Sequence, residues 1–325
     1  MKEQPPSISQ IYAKGREALE KIGLKQPLPP ESSYGASVAA NRKYLDSLFF
    51  VTRFFDPVEV DTSFEIFGVK LKGPIFSSPI SRTSYMTDED LSEIARGLAG
   101  AGSLMMLGIG GSGVLQGAID TGVPVVKIVK PFRNLDLIFK EVSDAESRGC
   151  VAVGMDIDHF YGGLMGTTVI RRELFGPQNS DDLKQLISQT RLPFIIKGVL
   201  SKVDAEKAAH IGAAAIVVSN HGYGSIDFSI PSMIALPEIV ESVGDRLVVL
   251  IDTGFKTGND VLKAMAFGAK AVGFANSMLM AYAAYGSEGV TFLMEQITAE
   301  LARTMAATGC PSLSAIDRSI SVRCR

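Results

Sequence analysis

Short apolar runs alternate with segments of helical spacing through most of this chain. The clearest case has two runs rich in β-branched residues, 194–197 and 215–219, on either side of a segment with helical spacing, 202–211. Gly212 follows that segment at the position of a helix C-cap. Because parallel strands need a crossover of about a dozen residues between them, the pattern predicts a unit of strand, helix and parallel strand.

The same alternation recurs from residue 74 to residue 275 and predicts a series of strands and helices. The predicted strands are 74–77, 103–107, 123–129, 150–158, 194–197, 215–219, 247–252 and 271–275. The predicted helices are 87–102, 135–148, 180–190, 202–211 and 289–307. Thr87, which precedes three acidic residues, is the expected N-cap of the first of these helices. The series predicts an α/β fold, a (β/α)8 TIM barrel. The alternative, a doubly wound sheet, needs a reversal of strand order that so even a series does not suggest.

The pattern before the barrel is different. The elements predicted there are helices at 9–25 and 37–49 and two extended pieces within 58–73, joined at Gly68. Since no break in composition marks a second domain, we expect a single domain. In it, residues 1–72 form an N-terminal helical and β extension that covers the barrel, and residues 73–325 form the barrel itself.

Composition limits the possible partners. With 46% hydrophobic and 21% charged residues, the chain of 325 residues is ordinary for a globular domain with a large core. A net charge of −3 with scattered basic residues favours neither nucleic acid nor an anionic membrane as a partner. The most apolar region, 264–285, is interrupted by Lys270 and Asn276 and is not expected to span a membrane. The first ten residues lack the apolar core of a signal peptide.

The cysteines give a further constraint. Cys150, Cys310 and Cys324 lack the paired spacing of a zinc site or of a disulfide framework. They therefore predict reduced thiols in a cytoplasmic protein, without a metal.

Polar residues directly follow the fifth and sixth predicted strands. Lys197 ends the first of the two, and Ser219, Asn220 and His221 follow the second. In a parallel barrel the C-terminal ends of the strands form the rim where chemistry takes place. An imidazole, with an ordinary pKa near ~6.5, is a competent base at neutral pH. His221 is therefore the candidate base, and the alternative is a structural histidine at a strand end.

Two turns that contain glycine follow the last two predicted strands. They are residues 252–258 and 273–277. Turns after strands seven and eight are the usual phosphate site of this barrel, since backbone N–H groups and a helix N-terminus meet there. Lys256 would add a positive charge. The alternative is that each glycine only closes a tight turn.

At this point a family resemblance becomes specific. The matching segments are KGV at 197–199, VSNHG at 218–222 with Asp227, D-x-G-x-x-x-G at 252–258, AFGA at 266–269, TMAATGCPSL at 304–313 and ANRKYLD at 40–46. With these segments the chain resembles the FMN-dependent α-hydroxy acid oxidase/dehydrogenase family, which includes glycolate oxidase, lactate oxidase and the flavocytochrome lactate dehydrogenases. The similarity extends over about residues 34–320.

The resemblance implies a barrel with FMN at its rim, and a homo-oligomer, by analogy a tetramer. It implies that His221 is the base, that Asp158 orients it, and that Lys197 stabilises the reduced flavin. The positions expected to bind the cofactor are Ser78, Pro79, Ile80, Gly108, Lys127, Asp156, Lys197, Ser219, Gly222, Asp252, Gly254, Lys256, Ala275 and Asn276. The positions expected to contact a small-molecule substrate are Tyr34, Arg82, His159, His221 and Tyr223.

The chain also departs from the family pattern. Gly224 stands where the family has the arginine that grips the substrate carboxylate. Val129 and Lys127 stand at the positions of a tyrosine and a glutamine. A phosphate-binding arginine is replaced by Asn276 after strand eight, and another by Lys256 or Thr257 after strand seven. A bidentate arginine is not replaced by lysine or a hydroxyl. Arg82, or Arg171 or Arg172, could bind the substrate carboxylate from a different position; the alternative is that all three are solvated surface arginines. We also expect His210 to lie on the surface of its helix.

The leading hypothesis is thus an FMN-dependent oxidoreductase that dehydrogenates a 2-hydroxy acid or a related α-substituted substrate. One alternative is a flavin barrel with non-redox chemistry, similar to type 2 isopentenyl diphosphate isomerase. Another is a degenerate family member that binds FMN without hydroxy acid oxidase activity.

Overall fold

A computed structural model describes residues 5–23, 35–82, 86–160, 174–222 and 226–324, together with the backbone of Leu164–Met165 and Thr168–Val169. The strands are β1 Leu48–Phe50, β2 Phe64–Ile66, β3 Val69–Leu71, β4 Ile75–Ile80, β5 Leu104–Leu107, β6 Val125–Val129, β7 Ala152–Asp156, β8 Leu164–Met165, β9 Thr168–Val169, β10 Phe194–Val199, β11 Ala215–Val218, β12 Val248–Ile251, β13 Ala271–Phe274 and β14 Ser321–Arg323. The α-helices are α1 Ile8–Lys21, α2 Ala36–Asp46, α3 Asp88–Gly100, α4 Ser112–Ile119, α5 Leu135–Ser147, α6 Ser180–Ser188, α7 Lys202–His210, α8 Ser232–Val243, α9 Gly258–Ala266 and α10 Asn276–Ala307.

Eight strands form a closed barrel in the order β10-β11-β12-β13-β4-β5-β6-β7, and every pair is parallel. Each strand of the series is followed by a helix, with α3 after β4, α4 after β5 and so on to α10 after β13. This confirms the predicted (β/α)8 fold. None of the described helices combines the length and the apolarity needed to cross a bilayer.

Alternate residues of each barrel strand face the interior. The buried side chains that share this interior include Phe76, Leu104, Met106, Val126, Ile128, Ala152, Ile195, Val217, Leu250 and Ala271. The intervening residues, such as Val125 and Val129 of β6, pack instead between the barrel and the helices. Since successive side chains of a strand point to opposite faces, this alternation decides which residues at the strand ends face the mouth of the barrel.

The segment before β4 packs closely on the barrel. The antiparallel hairpin β2–β3 buries Ile66 and Leu71 against the lower interior residue Phe76. Helix α1 lies along α10 so closely that a Cβ on Gly15 would come within 2.0 Å of the Met280 carbonyl oxygen. The division of the chain at residue 72 into an extension and a barrel stays a prediction.

Local signals explain most helix starts. Thr87 caps α3 as expected: its Oγ1 accepts a hydrogen bond from the Asp90 backbone, and the Asp90 side chain accepts one from the Thr87 backbone. Ser201 caps α7 in a related way. These caps satisfy N–H groups that a helix leaves unpaired at its start.

Several elements differ from the sequence expectation. The last helix begins at Asn276 rather than at residue 289, with a break at Tyr285 and at Gly286, where φ is 62°. The second helix ends at Asp46, and Phe49 belongs to β1, which pairs with the distant β14. Three helices were not anticipated: α4, α8 and α9. In α9 eight of the nine residues are buried, since neighbours cover it on almost every side.

Candidate active site

A fully buried carboxylate, Asp156, lies at the C-terminal end of β7 and organises the mouth of the barrel. Its Oδ2 is 2.5 Å from the Nζ of Lys130, and its Oδ1 is 3.3 Å from the Nζ of Lys197. Burial alone would raise the pKa of this carboxyl, but the two ammonium groups hold its pKa well below the ordinary range. Asp156 is therefore a permanent anion between two lysines.

Lys197, in β10, is the central cation of the site and is 1% exposed. Besides Asp156 it faces Asp252, with Nζ 3.5 Å from Oδ2, and it donates to the Ser219 hydroxyl at 3.3 Å. Burial opposes its charge, but Asp156 and Asp252 raise the pKa of Lys197 above the ordinary lysine value. The ammonium of Lys197 is thus held in place by two carboxylates and is shielded from solvent.

His221 and Asp158 form a close pair. Nδ1 of His221 is 3.1 Å from Oδ2 of Asp158, which lies in the short 3-10 turn Ile157–His159 after β7. Burial would raise the pKa of Asp158, yet the neighbouring imidazole holds that pKa below its ordinary value. His221 itself has a positive φ of 54°, and its backbone N–H donates to the Ser219 hydroxyl at 3.1 Å. A strained conformation of this kind is common where a side chain must be aimed at a site.

A second imidazole, His159, packs on the first. The ring centroids of His159 and His221 are 4.1 Å apart, with the planes tilted by 44°. Nδ1 of His159 is 3.4 Å from the Nζ of Lys130, whereas its Nε2 is buried without a hydrogen-bond partner. Burial, with the charges of His221 and Lys130, lowers the pKa of His159 to about 2. This imidazole is neutral at any ordinary pH.

The turn after β12 is held from outside by helix α2. Arg42 donates to the Gly254 carbonyl at 3.1 Å and makes two bonds, of 2.7 and 2.9 Å, to Asp260. Gly254 has a φ of 89°, and a Cβ there would lie 2.9 Å from the Cβ of Asn41. On the inner side, the Ser78 hydroxyl donates to Asp252 at 3.0 Å. The turn is thus preformed.

Helix α10 starts next to this turn without a capping side chain. Its N-cap is Ala275, which has no polar side-chain atom, whereas α9 is capped by Thr257. Lys256 is exposed, and partial desolvation together with the charge of Arg42 lowers the pKa of its ammonium. A helix N-terminus without a side-chain cap, beside a lysine, suits a phosphate. The fixed cation of Lys197 at the mouth suits an electron-rich ring, so these residues fit FMN.

Most of the predicted site residues converge on this end of the barrel. At or just after the ends of the strands lie Ser78, Pro79, Ile80, Gly108, Asp156, Asp158, His159, Lys197, Ser219, His221, Gly222, Asp252, Gly254, Lys256, Ala275 and Asn276. Tyr34, Tyr223, Gly224, Arg171 and Arg172 lie outside the described residues.

Two predicted contacts are not brought to the cluster. Lys127 faces away from the barrel interior, donates to the carbonyls of Gly108 and Gly110 at 2.6 and 3.3 Å, and lies 3.7 Å from Glu141 of α5. Arg82 is exposed and pairs with Asp88 at 2.6 Å. Neither placement matches the expected cofactor or substrate contact.

The sequence reasoning missed Lys130. The inward positions of β6 are 126 and 128, so the next inward residue is 130 and not 127. Lys130 is 6% exposed and bonds to Asp156. The alternation of inward and outward residues along β6 is the sequence signal that predicts an inward side chain at Lys130.

Fold and site together define a (β/α)8 barrel whose strand ends gather buried charges and two imidazoles at one rim. The profile of the FMN-dependent dehydrogenase family matches residues 30–178 and 162–323, and the chain belongs to that family. It is 30% identical to 4-hydroxymandelate oxidase of Amycolatopsis orientalis, over 87% of this chain and 89% of that protein. It is 28% identical to glycolate oxidase 1 of Oryza sativa subsp. indica, over 97% and 91% of the two chains.

Solved structures agree. A mandelate oxidase variant with (S)-mandelic acid superposes with a TM-score of 0.85, at 28% identity, over 98% of this chain and 99% of the other. A mandelate oxidase variant with a monooxide FMN adduct gives 0.82, at 30% identity, over 90% and 93%. The protein is therefore an FMN-dependent oxidoreductase of the 2-hydroxy acid oxidase and dehydrogenase class, and its cofactor is FMN. These findings favour the oxidoreductase over the isomerase alternative.

Proposed function

We propose that this protein dehydrogenates a small 2-hydroxy acid or a related α-substituted substrate, with His221 as the base. The observation that carries the proposal is the contact of 3.1 Å between Nδ1 of His221 and the carboxylate of Asp158, beside the buried cation of Lys197.

The hydrogen bond determines which nitrogen of His221 is basic. Nδ1 lies 3.1 Å from the Asp158 carboxylate, which only accepts, and 3.3 Å from the Lys197 ammonium, which only donates. We assign the hydrogen to Nδ1 on the shorter contact, which leaves the lone pair on Nε2. Nε2 removes the proton from the substrate, and Asp158 stabilises the imidazolium that results. A positioned base of this kind contributes roughly 10² to 10⁴ in rate.

When bound, FMN accepts the hydride equivalent that leaves the substrate α-carbon. Lys197 supplies the positive charge that a reduced, anionic flavin needs. Asp252, Gly254, Lys256 and the start of α10 would hold the ribityl chain and the phosphate. Ser78, Pro79 and Ile80 would lie along the ring.

Anaerobic reduction of the bound flavin tests the role of His221. The parent protein, mixed with a panel of 2-hydroxy acids including (S)-mandelate, glycolate and L-lactate, should lose its yellow colour. His221→Ala should keep a stoichiometric amount of FMN but be reduced at least about 10²-fold more slowly. His210→Ala, on the exposed face of α7, is the matched control and should behave as the parent. Reduction of His221→Ala at the parental rate contradicts the assignment, and a parent that no hydroxy acid bleaches favours the degenerate family member.

We also propose a cytoplasmic homo-oligomer, a tetramer by analogy with the family. Cys150, Cys310 and Cys324 are free thiols, which supports a reducing compartment. Phe54 and Phe55 are 75% and 94% exposed, which supports contact with a further chain. Light scattering after size exclusion tests the oligomer, and a monomer at micromolar concentration contradicts it.

A further inference from the structure

The two stacked imidazoles of the site have different hydrogen-bonding partners. Nδ1 of His221 lies 3.1 Å from the Asp158 carboxylate and 3.3 Å from the Nζ of Lys197, so it has an acceptor as its nearer partner. Nδ1 of His159 has the Nζ of Lys130, a donor, at 3.4 Å. A lysine ammonium, here paired with Asp156 at 2.5 Å, has donors and no acceptor. Nδ1 of His159 must therefore accept, and the single hydrogen of this neutral ring is on Nε2. The pair thus combines a lone pair on His221 with a donor on His159.

The donor of His159 lacks an acceptor. Nε2 is buried and makes no hydrogen bond within the described structure. Leaving a buried donor unpaired is costly, and an unsatisfied buried polar group of this kind calls for an explanation such as a ligand or a catalytic function. Because the ring lies 4.1 Å from that of His221, this donor belongs to the ring that packs directly on the proposed base.

The cations of the described site are already engaged. Lys130 and Lys197 both contact Asp156, and Lys197 also contacts Asp252. Arg82 pairs with Asp88 at the surface, and position 224 is a glycine. In the described part of the chain, no arginine points a bidentate fork at His221. The unpaired donor of His159 is the group left to bind a substrate oxygen.

We propose that His159, held by Lys130 as its Nε2–H tautomer, donates a hydrogen bond to the carbonyl-type oxygen next to the carbinol carbon of the substrate. This inference rests on the proposed function and names its substrate class: 2-hydroxy carbonyl compounds, acids and their neutral amides alike. His159 contacts the substrate, whereas Lys130 is a positioning residue that acts through His159.

The same cluster also has the composition of a metal site. Asp158, His159 and His221 each offer an atom within 4.8 Å of the others. A metal ion, however, needs the lone pair of a ring nitrogen. The lone pair of His159 faces the ammonium of Lys130, and Nε2 carries a hydrogen. The geometry therefore fits an oxygen acceptor and not a cation.

The first test separates substrate binding from chemistry. In the FMN-loaded protein, His159→Leu should raise the KM for the hydroxy acid about tenfold, the value of one hydrogen bond of about 1.4 kcal/mol. The flavin spectrum, FMN content and limiting rate of flavin reduction should stay within about threefold of the parent. His159→Gln, whose amide nitrogen reaches the place of Nε2, should restore most of the KM. An unchanged KM in His159→Leu, or a loss confined to the limiting rate, overturns the proposal.

The second test observes the tautomer directly. The chain has only three histidines, so ¹⁵N imidazole spectra resolve each of them, with exposed His210 as the reference. His159 should appear as a neutral ring with hydrogen on Nε2, and Lys130→Met should release it to a mixture of both tautomers with a raised KM. A parental His159 with hydrogen on Nδ1, or a charged ring at neutral pH, overturns the proposal, and so does binding of Zn²⁺ that shifts both His159 and His221.

The third test concerns substrate class. A neutral donor discriminates little between a carboxylate and an amide, so kcat/KM for a 2-hydroxy amide should be within about a hundredfold of that for the matching acid. A larger preference for the acid would mean that a cation grips the substrate and would overturn the proposal. Failure of the proposed function looks different, since then neither compound bleaches the parent flavin.

Discussion

Replacing Gly198 by alanine tests whether the acid–base pair depends on one missing Cβ atom. Gly198 lies in β10 with a φ of 95°, and a Cβ there would be 2.5 Å from Cγ and 2.7 Å from Cβ of Asp158. A left-handed backbone costs a residue other than glycine about 1–2 kcal/mol. The overlap comes in addition, and its relief displaces the Asp158 side chain from the position in which it contacts His221.

The chain contains a matched control. Gly212, at the end of α7, has a φ of 88°, but a Cβ there meets no atom within 4 Å. Gly212→Ala should therefore lose only the backbone contribution, about 1–2 kcal/mol of the free energy of unfolding. It should reduce its flavin at the parental rate, since nothing near the site moves.

Urea unfolding and anaerobic flavin reduction should separate the two variants. Gly198→Ala should lose more stability than Gly212→Ala, and its flavin should be reduced about 10² to 10⁴ times more slowly than in the parent, close to the rate of Asp158→Ala. Equal stabilities together with a parental rate in Gly198→Ala would show that Asp158 does not need this space, and the reasoning would be wrong.

Three further predictions follow from single contacts. Asp227 accepts hydrogen bonds from the backbone of Gly35, Ala36 and Ser37 at the start of α2; burial opposes this charge, but the N–H groups lower the pKa of Asp227 to about 2. The pKa of Asp227 is lower in the folded than in the unfolded state, so its contribution to the free energy of unfolding is present above about pH 4 and is lost as the pH falls through about 2. In urea unfolding, Asp227→Asn should be about 0.5–2 kcal/mol less stable than the parent at pH 7. The difference should be smaller at pH 3. Lys197→Met should lose FMN on dialysis more readily than the parent, and any flavin that stays should be harder to reduce in a redox titration. Asn41→Leu should cost about 1–3 kcal/mol in thermal unfolding, since Asn220 then loses its partner at 3.0 Å.

The sequence predicts the barrel well because two independent signals identify its strands. Each is a short apolar run, and each is followed by a polar residue or glycine at the rim. For the same reason the pair of His221 and Lys197 was visible before the structure: both follow buried runs in neighbouring strands. Helix α9 was missed because its burial removes the polar face that identifies a surface helix.

The placement of Lys127 outside the cluster has a different cause. A motif match carries no information on the face of the strand, and a shift of one position moves a side chain from the interior to the helix layer. Burial cannot tell the two lysines apart, because Lys127 is 3% and Lys130 is 6% exposed. Their hydrogen-bond partners do distinguish them, because Lys127 donates to a carbonyl of the β5–α4 loop and Lys130 donates to Asp156.

The ions around Asp156 are better explained by chemistry than by stability. Taking charges out of water costs several kcal/mol per ion, and well-packed apolar residues are often as stable as a buried pair. A carboxylate that faces two buried ammonium groups is therefore an expensive way to fill the mouth of a barrel. The Asp156 carboxylate does, however, hold two ammonium groups in place at once. Through Lys197 it keeps a buried cation at the mouth of the barrel, where the proposed function requires one for reduced flavin, and through Lys130 it keeps an ammonium against Nδ1 of His159. One buried acid thus links the site's charge to the proposed tautomer of the imidazole beside the proposed base.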